Sequence, residues 1–533
     1  MNKIALLSLW CITNSLPVTA FLSPARTVSH TRPTLSAPLS SSTDTRKPTS
    51  DEPKTARSKS PRFEWTKQWY PILPANSVLQ GKDPLSVTVL NKQLVVWKTD
   101  DEERTISVLE DSCPHRRAPL STGKVAGNTL MCRYHGWEFN GKGSCEKIPM
   151  MKEGQNTKSK AFCANSYPVS VRDGLVWVYM DPQSFNPDSP PPLPAVSRED
   201  NTNGDSTWVA MVWPVSFQSM IENSFDPSHA PFTHEGIGRG PFSYSPDKAI
   251  PMEIYRFVGG GDISVDGFTL EHSPYMGQAP INATALSLAT RKFVPPGTSI
   301  TTSPTFNADI HFIPISPQET MTITKFNIPT PGSVKKIVEF RPLKRIVEFL
   351  SDTAHFLFFS SATSYRFASQ DRINMQGQDS RKLKYGNWDD MTPTASDMGV
   401  VALQRWFKTF GSFGPFPMNS LRPQEGRQLS LWDHHAKYCP QCQRTIRRIS
   451  GLDQLSRRIS RVSLAACAMT LFLSARLLIS SSAMKATMLA SASFLFLSVA
   501  MRYLSQWCKR LVESVFVNPD LLARRKMIKV YAD

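Results

Sequence analysis

Two short segments decide the fold of this chain: Cys113-Pro-His-Arg-Arg-Ala-Pro-Leu-Ser-Thr-Gly123 and Cys132-Arg-Tyr-His-Gly-Trp-Glu-Phe139. Each segment presents one thiolate and one imidazole on a short loop, from Cys113 with His115 and from Cys132 with His135. A [2Fe–2S] cluster with two thiolates on one iron and two neutral imidazoles on the other needs this donor set. Zinc is the rival occupant, but its usual spacings group like donors together. The mixed segments therefore predict an iron–sulfur cluster.

A second metal-binding pattern lies downstream, in Glu222-Asn-Ser-Phe-Asp-Pro-Ser-His-Ala-Pro-Phe-Thr-His234. His229 and His234 are five residues apart, so one helical turn and its end could direct both imidazoles to one metal. Two histidines and one carboxylate form the facial triad of non-haem Fe(II) oxygenases, which leaves the opposite face open for oxygen and substrate. The pattern predicts a mononuclear iron site whose third ligand comes from elsewhere in the chain.

The N-terminal region has the composition of a targeting segment. An early lysine, an apolar stretch and small residues before Ala20 predict a signal peptide over residues 1–20. Residues 21–62 are rich in Ser, Thr, Pro and Arg, which is typical of a transit peptide. This two-part arrangement resembles the plastid presequences of algae with secondary plastids. A secreted protein with a disordered stalk is the alternative.

The C-terminal region contains two apolar runs, Val462–Ala483 and Ala486–Met501, which we expect to be joined by a polar turn around Met484-Lys485. Each run is near the lower limit of about 20 residues that a membrane-spanning helix needs. Basic residues flank both outer sides, so the positive-inside tendency would return both ends to the same face. We therefore expect a transmembrane hairpin within residues 444–510 and a tail over 511–533, with a buried hairpin of a soluble fold as the alternative.

The net charge of +17 is confined to the two ends of the 533-residue chain. Residues 1–62 carry a net charge of +6 and residues 444–533 carry +11, which leaves the region between them neutral. A protein that binds DNA or RNA needs a basic patch on its folded core. The charge distribution therefore argues against nucleic acid as a partner.

A proline-rich segment divides the central region in two. It lies within residues 184–200, after a first domain over 63–183 and before a second domain over 201–443. Short β-branched and aromatic runs predict an all-β first domain, and the second domain mixes predicted strands with a helical stretch near Val338–Ser361. Cys439 and Cys442 form a CxxC motif at the end of the second domain. The motif alone fits a thioredoxin-regulated pair, which we favour, a weak metal half-site, or chance.

From Phe63 to the C-terminal hairpin, the order of motifs resembles the plastid family of pheophorbide a oxygenase and chlorophyllide a oxygenase, which are Rieske non-haem iron oxygenases. The two mixed Cys/His segments match the two Rieske motifs of that family, and the CxxC before two apolar runs is closer to its pheophorbide a oxygenase branch. The resemblance implies an α+β protein with an N-terminal all-β Rieske domain, an α/β helix-grip-type catalytic domain and a C-terminal transmembrane helical hairpin. It also implies a monooxygenase that uses ferredoxin electrons and O2 on a chlorophyll-derived tetrapyrrole, in a plastid envelope or thylakoid membrane with the catalytic domain in the stroma.

The resemblance also implies roles for two carboxylates. Asp371 stands where relatives carry the third iron ligand, although Asp371 as a helix cap and Asp379 as the ligand are alternatives. Asp226 is expected to bridge His229 to a Rieske histidine of a neighbouring subunit, as second-shell carboxylates do for metal-bound imidazoles. A homotrimer follows from that contact by resemblance only.

Three alternatives to this function stay open at the level of the sequence. A membrane-bound Rieske electron-transfer or redox-sensing protein would keep the four cluster ligands but would have no use for His229, His234 and Asp371. An oxygenase of the same chemistry could act on a carotenoid or a sterol instead of a tetrapyrrole. Ile148-Pro-Met-Met151 lacks the Gln that often follows Ile-Pro in relatives, so tetrapyrrole specificity is the weakest inference from the resemblance.

Overall fold

The structure is a computed structural model, and it describes residues 62–81, 83–99, 105–152, 159–194, 208–237, 243–276, 288–303, 307–327, 341–360, 362–385, 391–422, 424–476 and 481–517. The predicted signal peptide and nearly all of the predicted transit peptide lie outside these residues. Residues 195–200 of the predicted linker and most of the predicted C-terminal tail lie outside them as well.

The N-terminal half of the described chain is built from three small antiparallel sheets. Their orders are β1-β10-β9, β2-β3-β4 and β5-β6-β7-β8. The strands are β1 (Trp69–Pro74), β2 (Leu85–Val89), β3 (Lys92–Lys98), β4 (Ile106–Glu110), β5 (Lys124–Ala126), β6 (Thr129–Met131), β7 (Glu138–Phe139), β8 (Cys145–Lys147), β9 (Val169–Arg172) and β10 (Leu175–Tyr179). One short helix, α1 (Ala75–Leu79), follows β1. The all-β character predicted from β-branched and aromatic runs is confirmed.

The second half contains one seven-stranded antiparallel sheet in the order β11-β17-β16-β15-β14-β13-β12. Its strands are β11 (Val209–Trp213), β12 (Tyr255–Phe257), β13 (Phe268–His272), β14 (Ala289–Val294), β15 (Thr298–Thr302), β16 (Asn307–Ser316) and β17 (Glu319–Asn327). Burial alternates along β13, as expected for a strand with only one face on a hydrophobic core. This sheet carries the helices that hold the predicted iron ligands.

The helices of the second half are α2 (Phe217–Phe225), α3 (Ala230–Thr233), α4 (Arg341–Ser360), α5 (Ala362–Tyr385), α6 (Met398–Thr409), α7 (Leu431–His434), α8 (Pro440–Arg476) and α9 (Ser481–Phe516). Helix α4 confirms the helical stretch predicted near Val338–Ser361. Aromatic side chains of α2 and α6 pack with those of the sheet in one core that includes Phe225, Phe293 and Trp406. This packing fixes α2, and with it the segment of His229 and His234, against the sheet.

The two halves share a hydrophobic core. Tyr70 and Trp177 of the sheet β1-β10-β9 are buried in one cluster with Ile313 and Ile323 of the seven-stranded sheet. Each fully buried large apolar side chain contributes about 1.5–3 kcal/mol relative to an exposed one. The proline-rich segment therefore connects two parts that are packed together rather than two separate bodies.

The two C-terminal helices are long and apolar enough to span a membrane, over Pro440–Ala475 and Ser482–Phe516. Only 17% and 11% of their most apolar windows are buried within the chain, unlike the core helix of a soluble protein. The predicted position of the turn is wrong, because Met484 and Lys485 lie inside α9 and the break between the helices falls between Arg476 and Ser481. Met484 and Lys485 do not interrupt α9, because its backbone hydrogen bonds continue through both residues.

Candidate functional site

The predicted iron–sulfur ligands lie on two tight loops of the N-terminal half. Within the first loop, Cys113 N–H donates to the carbonyl of Ala118 (2.9 Å), and within the second, Cys132 N–H donates to the carbonyl of Trp137 (2.7 Å). Gly136 has a φ of +73°, and a side chain there would meet Pro149. A glycine at this position lets the second loop close beneath its two ligands.

Across the two loops, the predicted ligand His115 lies beside His135, and the Cys113 thiol interacts with that of Cys132. The imidazole rings of His115 and His135 are 4.5 Å apart, and His115 stacks on Trp137 at 4.7 Å. Burial, with the neighbouring Cys132 thiol, raises the pKa of Cys113 to about 11, although the backbone N–H groups of His115 and Arg116 act in the opposite direction. N–H groups aimed at a cluster sulfur stabilise the thiolate and tune the potential of the cluster.

The ligands differ in their exposure to solvent. Cys113 and Cys132 are buried, whereas His115 is exposed and His135 is half-buried. Desolvation, His115 and Arg116 lower the pKa of His135, which favours the neutral imidazole that a metal ligand must be. The histidine side of this site therefore faces outward, where an electron carrier or a second protein can approach it.

The second predicted site is held by a short helical turn after α2. Asp226 caps this turn, because its Oδ1 accepts hydrogen bonds from the backbone N–H (3.1 Å) and the hydroxyl (2.6 Å) of Ser228. His229 immediately precedes α3 and His234 immediately follows it. The helical turn between them places the rings of His229 and His234 5.6 Å apart.

Asp371 completes this group from helix α5. Its Oδ1 lies 3.3 Å from His234 Nε2 and 3.5 Å from His229 Nε2, and the three donor atoms all lie within 4.8 Å of one another. This oxygen is fully buried and accepts no hydrogen bond from any residue in the described ranges. A buried carboxylate oxygen without a hydrogen-bond donor, facing two imidazole nitrogens, fits a cation between them.

The alternatives for the third ligand do not fit the structure. Asp371 lies in the interior of α5, so it does not cap that helix. Asp379 lies two turns further along α5, and its carboxylate accepts hydrogen bonds from Ser216 N–H (2.9 Å), Ser216 Oγ (2.6 Å) and Ser219 Oγ (2.6 Å). Asp379 therefore holds the N-terminus of α2 and does not belong to the histidine group.

The Nδ1 side of His229 faces Asp226. Nδ1 lies 2.5 Å from the backbone carbonyl oxygen of Asp226 and 3.6 Å from its carboxylate Oδ2. Burial lowers the pKa of His229, but Asp226 and Asp371 outweigh burial and raise it to about 9 when no metal is bound. The backbone carbonyl places the imidazole proton on Nδ1, which leaves Nε2 directed toward Asp371 as a metal ligand.

Three residues near the histidines were not predicted from the sequence. Gln370 Oε1 lies 3.4 Å from His234 Nδ1, Asn223 Nδ2 lies 3.4 Å from His229 Nε2, and the ring of Tyr244 lies 5.5 Å from that of His234. Gln370 precedes Asp371 and Asn223 lies in the quoted histidine segment, so their proximity to the ligands in sequence was the available signal. No sequence pattern indicated Tyr244.

Cys439 and Cys442 are not part of either site. They lie at the N-terminus of α8, where both are buried, and the structure groups them with His355 and His435. The His435-x3-Cys439-x2-Cys442 spacing was the signal in the sequence for this group, while His355 comes from α4.

The chain is similar to a known domain family and to several known proteins. Residues 68–168 match the family described as Rieske [2Fe-2S] domain. The chain is 27% identical over 497 residues to a chloroplastic flavonoid 8-hydroxylase 2 of Ocimum basilicum, covering 86% of each chain. It is 27% identical over 475 residues to the chloroplastic pheophorbide a oxygenase of Arabidopsis thaliana, covering 81% of this chain and 82% of that one.

Two further similarities cover less of the chain or are weaker. A segment of 143 residues is 38% identical to the chloroplastic chlorophyllide a oxygenase of Chlamydomonas reinhardtii, covering 25% of this chain and 19% of that one. A crystal structure of dicamba monooxygenase bound to 3,6-dichlorosalicylic acid aligns with 66% of this chain and 98% of its own, at 16% identity and a TM-score of 0.47. The family match and the residues of the two sites agree on one Rieske [2Fe–2S] cluster and one mononuclear iron as the cofactors.

Proposed function

Since this chain belongs to the Rieske non-haem iron oxygenases of the plastid pheophorbide a oxygenase and chlorophyllide a oxygenase type, we propose that it is a monooxygenase that acts on a chlorophyll-derived tetrapyrrole. Ferredoxin is the proposed electron donor, and O2 is the proposed co-substrate.

One observation carries the proposal: a single chain presents both a Rieske ligand set and a second group of two histidines and one carboxylate. Cys113, His115, Cys132 and His135 are proposed to hold the cluster, and His229, His234 and Asp371 are proposed to hold the iron. An electron carrier has no use for the second group, in which Asp371 Oδ1 is buried without a hydrogen bond among the described residues. Oxygenase chemistry uses it directly.

The residues around His229, His234 and Asp371 orient the two histidines and exclude water from the proposed iron site. When bound, iron with two imidazoles and one carboxylate supplies the open coordination positions at which O2 can be reduced beside a substrate. The carbonyl of Asp226 fixes the tautomer of His229, and Gln370 faces the outer nitrogen of His234. The burial of His234 and Asp371 keeps water away from the same place.

The outward face of the cluster suggests how electrons arrive. The two loops of the cluster ligands also carry three exposed arginines, Arg116, Arg117 and Arg133, which would attract an acidic electron donor such as a ferredoxin. The exposed His115 could meet Asp226 of a neighbouring subunit, whose side chain is 28% exposed. A homotrimer in which each cluster serves the iron of the next chain is therefore part of the proposal.

The location of the protein follows from its relatives and its ends. Chloroplastic relatives support a plastid. We propose that α8 and α9 anchor the chain in an envelope or thylakoid membrane, with the catalytic part in the stroma, and that residues 1–62 direct it into a secondary plastid. A membrane anchor suits a large apolar pigment as substrate.

A second substrate class is favoured by one of the comparisons. The flavonoid 8-hydroxylase covers as much of this chain, at the same identity, as the pheophorbide a oxygenase does. A flat phenolic substrate is therefore the second candidate for the same site. Carotenoids and sterols are further alternatives from the sequence, and no contact among the described residues favours them. A thioredoxin partner for Cys439 and Cys442 stays a prediction.

The test uses the full chain in detergent, purified without oxygen. Pheophorbide a, chlorophyllide a and a flavone are titrated by absorbance, and each ligand that binds is then incubated with reduced ferredoxin and isotopically labelled O2. We expect one labelled oxygen atom in a tetrapyrrole product and none with the Asp371→Asn variant. Labelled flavone without a labelled tetrapyrrole would move the assignment to the second candidate, and no labelled product would contradict both.

A further inference from the structure

A second group of metal-binding side chains lies outside the proposed iron site. His355 of α4, His435 at the end of α7, and Cys439 and Cys442 at the start of α8 offer two imidazole nitrogens and two sulfurs within 4.8 Å of one another. The residues come from three separate elements of the second half. None of the four has a role in the proposed oxygenase chemistry.

The distances between these donor atoms match the edges of a tetrahedral zinc site. The Nε2 atoms of His355 and His435 are 3.2 Å apart, and Cys439 Sγ lies 3.3 Å from His355 Nε2. With Zn–N bonds of about 2.05 Å and Zn–S bonds of about 2.3 Å, a tetrahedron has an N–N edge of about 3.3 Å and an S–N edge of about 3.6 Å. The donors are therefore already close to the spacing that the metal requires.

The groups behind the donors orient them toward one point. His435 Nδ1 lies 2.8 Å from the carbonyl oxygen of Ala210 in β11, so this nitrogen carries the proton and Nε2 presents its lone pair. The backbone N–H of Cys442 points at Cys439 Sγ at 3.5 Å. Ligand histidines that donate their second N–H to a backbone carbonyl are the usual arrangement around zinc, and Cys-x2-Cys is a usual zinc spacing.

Burial and charge also favour a metal over a redox pair. His355 and His435 are 1% exposed, Cys439 is 6% exposed and Cys442 is 0% exposed. A thioredoxin thiolate has to reach one of the two sulfurs to exchange a disulfide, and these sulfurs are covered. Two thiolates with two neutral imidazoles and Zn²⁺ have no net charge, which suits a site without solvent.

The electrostatics of Cys439 agree with this donor set. Burial on its own would raise the pKa of the Cys439 thiol, but its interactions with Cys442, His355 and His435 outweigh burial and lower it well below the ordinary value. The positive end of the α8 dipole acts in the same direction. Burial and Cys439 raise the pKa of Cys442 well above its ordinary value, so the group without a metal favours one thiolate and one thiol.

We propose that His355, His435, Cys439 and Cys442 bind one Zn²⁺, which fastens α4 and the seven-stranded sheet to the start of the proposed membrane helix α8. Both thiols lose their protons when zinc binds, and no electron is transferred. The site is structural, because four protein ligands leave no open coordination position. It does not depend on the substrate of the oxygenase.

A neighbouring ion pair shows that the same junction is held by other means as well. Asp352 lies one turn before His355 on α4, and its 3% exposed side chain accepts hydrogen bonds from Arg444 (2.7 and 2.9 Å) and Arg448 (2.9 Å) of α8. Zinc and this ion pair would then act on the same face of α4. The proposed zinc site and the Asp352 ion pair thus both join the catalytic part to the two C-terminal helices, and apolar side chains are packed around them.

The test measures metal in the full chain, purified in detergent without oxygen from medium that contains iron and zinc. We expect about one zinc atom beside three iron atoms per chain. Zinc X-ray absorption should show two sulfur neighbours at about 2.3 Å and two nitrogen neighbours at about 2.0 Å. A zinc shell of nitrogen and oxygen only would place the zinc among His229, His234 and Asp371 and would overturn the proposal, as would the absence of zinc.

Variants separate this site from the other cysteines. Cys442→Ser should reduce zinc at least tenfold and keep three iron atoms per chain, whereas Cys467→Ser, which removes another buried cysteine of α8, should keep the zinc. The absorption measurement on the unaltered chain decides the question if Cys442→Ser does not fold. Equal zinc in both variants, or a Cys439–Cys442 disulfide that thioredoxin reduces in the native protein, would contradict a zinc site.

Discussion

The substitution Asp226→Asn separates two roles that the structure assigns to one residue. The backbone carbonyl of Asp226 holds His229 Nδ1 at 2.5 Å, while its carboxylate lies 3.6 Å from the same atom. Asparagine removes the negative charge, keeps the backbone carbonyl and is as good a helix cap as aspartate. The orientation of His229, and therefore iron binding, should survive the substitution.

The size of the expected effect follows from this geometry. A carboxylate that supports a metal-bound histidine typically contributes about 10–100-fold in metal affinity or activity. Because the carbonyl already fixes the tautomer of His229, we expect iron content to change less than about twofold. The loss should instead appear in turnover, as a fall of about 10–100-fold in kcat/KM, which corresponds to about 1.4–2.7 kcal/mol.

The assay compares the native chain, Asp226→Asn and Asp266→Asn, which changes an exposed carboxylate in a turn of the same half. Iron per chain is measured first, and ferredoxin-driven turnover then uses whichever pigment or flavone the binding screen identifies. Reduction of the cluster by ferredoxin should proceed equally in all three. If iron is lost in proportion to activity, the carboxylate holds the metal site together. If turnover is unchanged, the role given to Asp226 is wrong.

Three further predictions test the iron site, the helix junction and the acid stability. Asp371→Asn should lower iron from three to two atoms per chain with an unchanged cluster signal by electron paramagnetic resonance, and Asp379→Asn, assayed beside it, should keep three. Asp352→Asn should lower the stability of the chain by about 2 kcal/mol, less than the 3–5 kcal/mol typical of a fully buried pair because Arg444 and Arg448 are partly exposed; a fall in the thermal unfolding temperature measures it. Burial lowers the pKa of His311 to about 3, so its neutral form contributes stability above its ordinary pKa of about 6.5 that is lost as the pH falls toward 3; thermal unfolding across this range should depend less on pH in His311→Asn.

The sequence predicted the ligands that lie close together in the chain. Each half of the cluster site is one loop, and His229 and His234 share one helical turn, so residue type and spacing carry the information. Asp371 needed the resemblance to a family, because the contact between α5 and this turn joins residues more than a hundred positions apart. Asp379 looked equivalent in sequence, and only its hydrogen bonds to Ser216 and Ser219 in the fold separate the two carboxylates.

Other features required the three-dimensional structure for a physical reason. The proline-rich segment predicted a connection between two parts, but the core that they share depends on pairs such as Trp177 with Ile313, which no local pattern shows. The hairpin turn was misplaced because apolar runs mark what a membrane can accept and do not mark where a helix ends. His355 appears in the sequence as an isolated histidine in an amphipathic helix, and only the packing of α4 on α8 brings it to the CxxC motif.

The two proposed metal sites take ligands from consecutive helices, His355 from α4 and Asp371 from α5. The contacts of α5 indicate how far one site depends on the other. Near Asp371, Arg372 donates to the carbonyl of Arg427 (2.8 Å), and Gln376 donates to the carbonyls of Pro214 (2.9 Å) and Arg427 (2.9 Å). These bonds fix α5 to the seven-stranded half of the chain without any ligand of the proposed zinc site. Loss of zinc should therefore loosen α8 and α9 from α4 while Asp371 stays in place, which is why three iron atoms are expected to remain in Cys442→Ser.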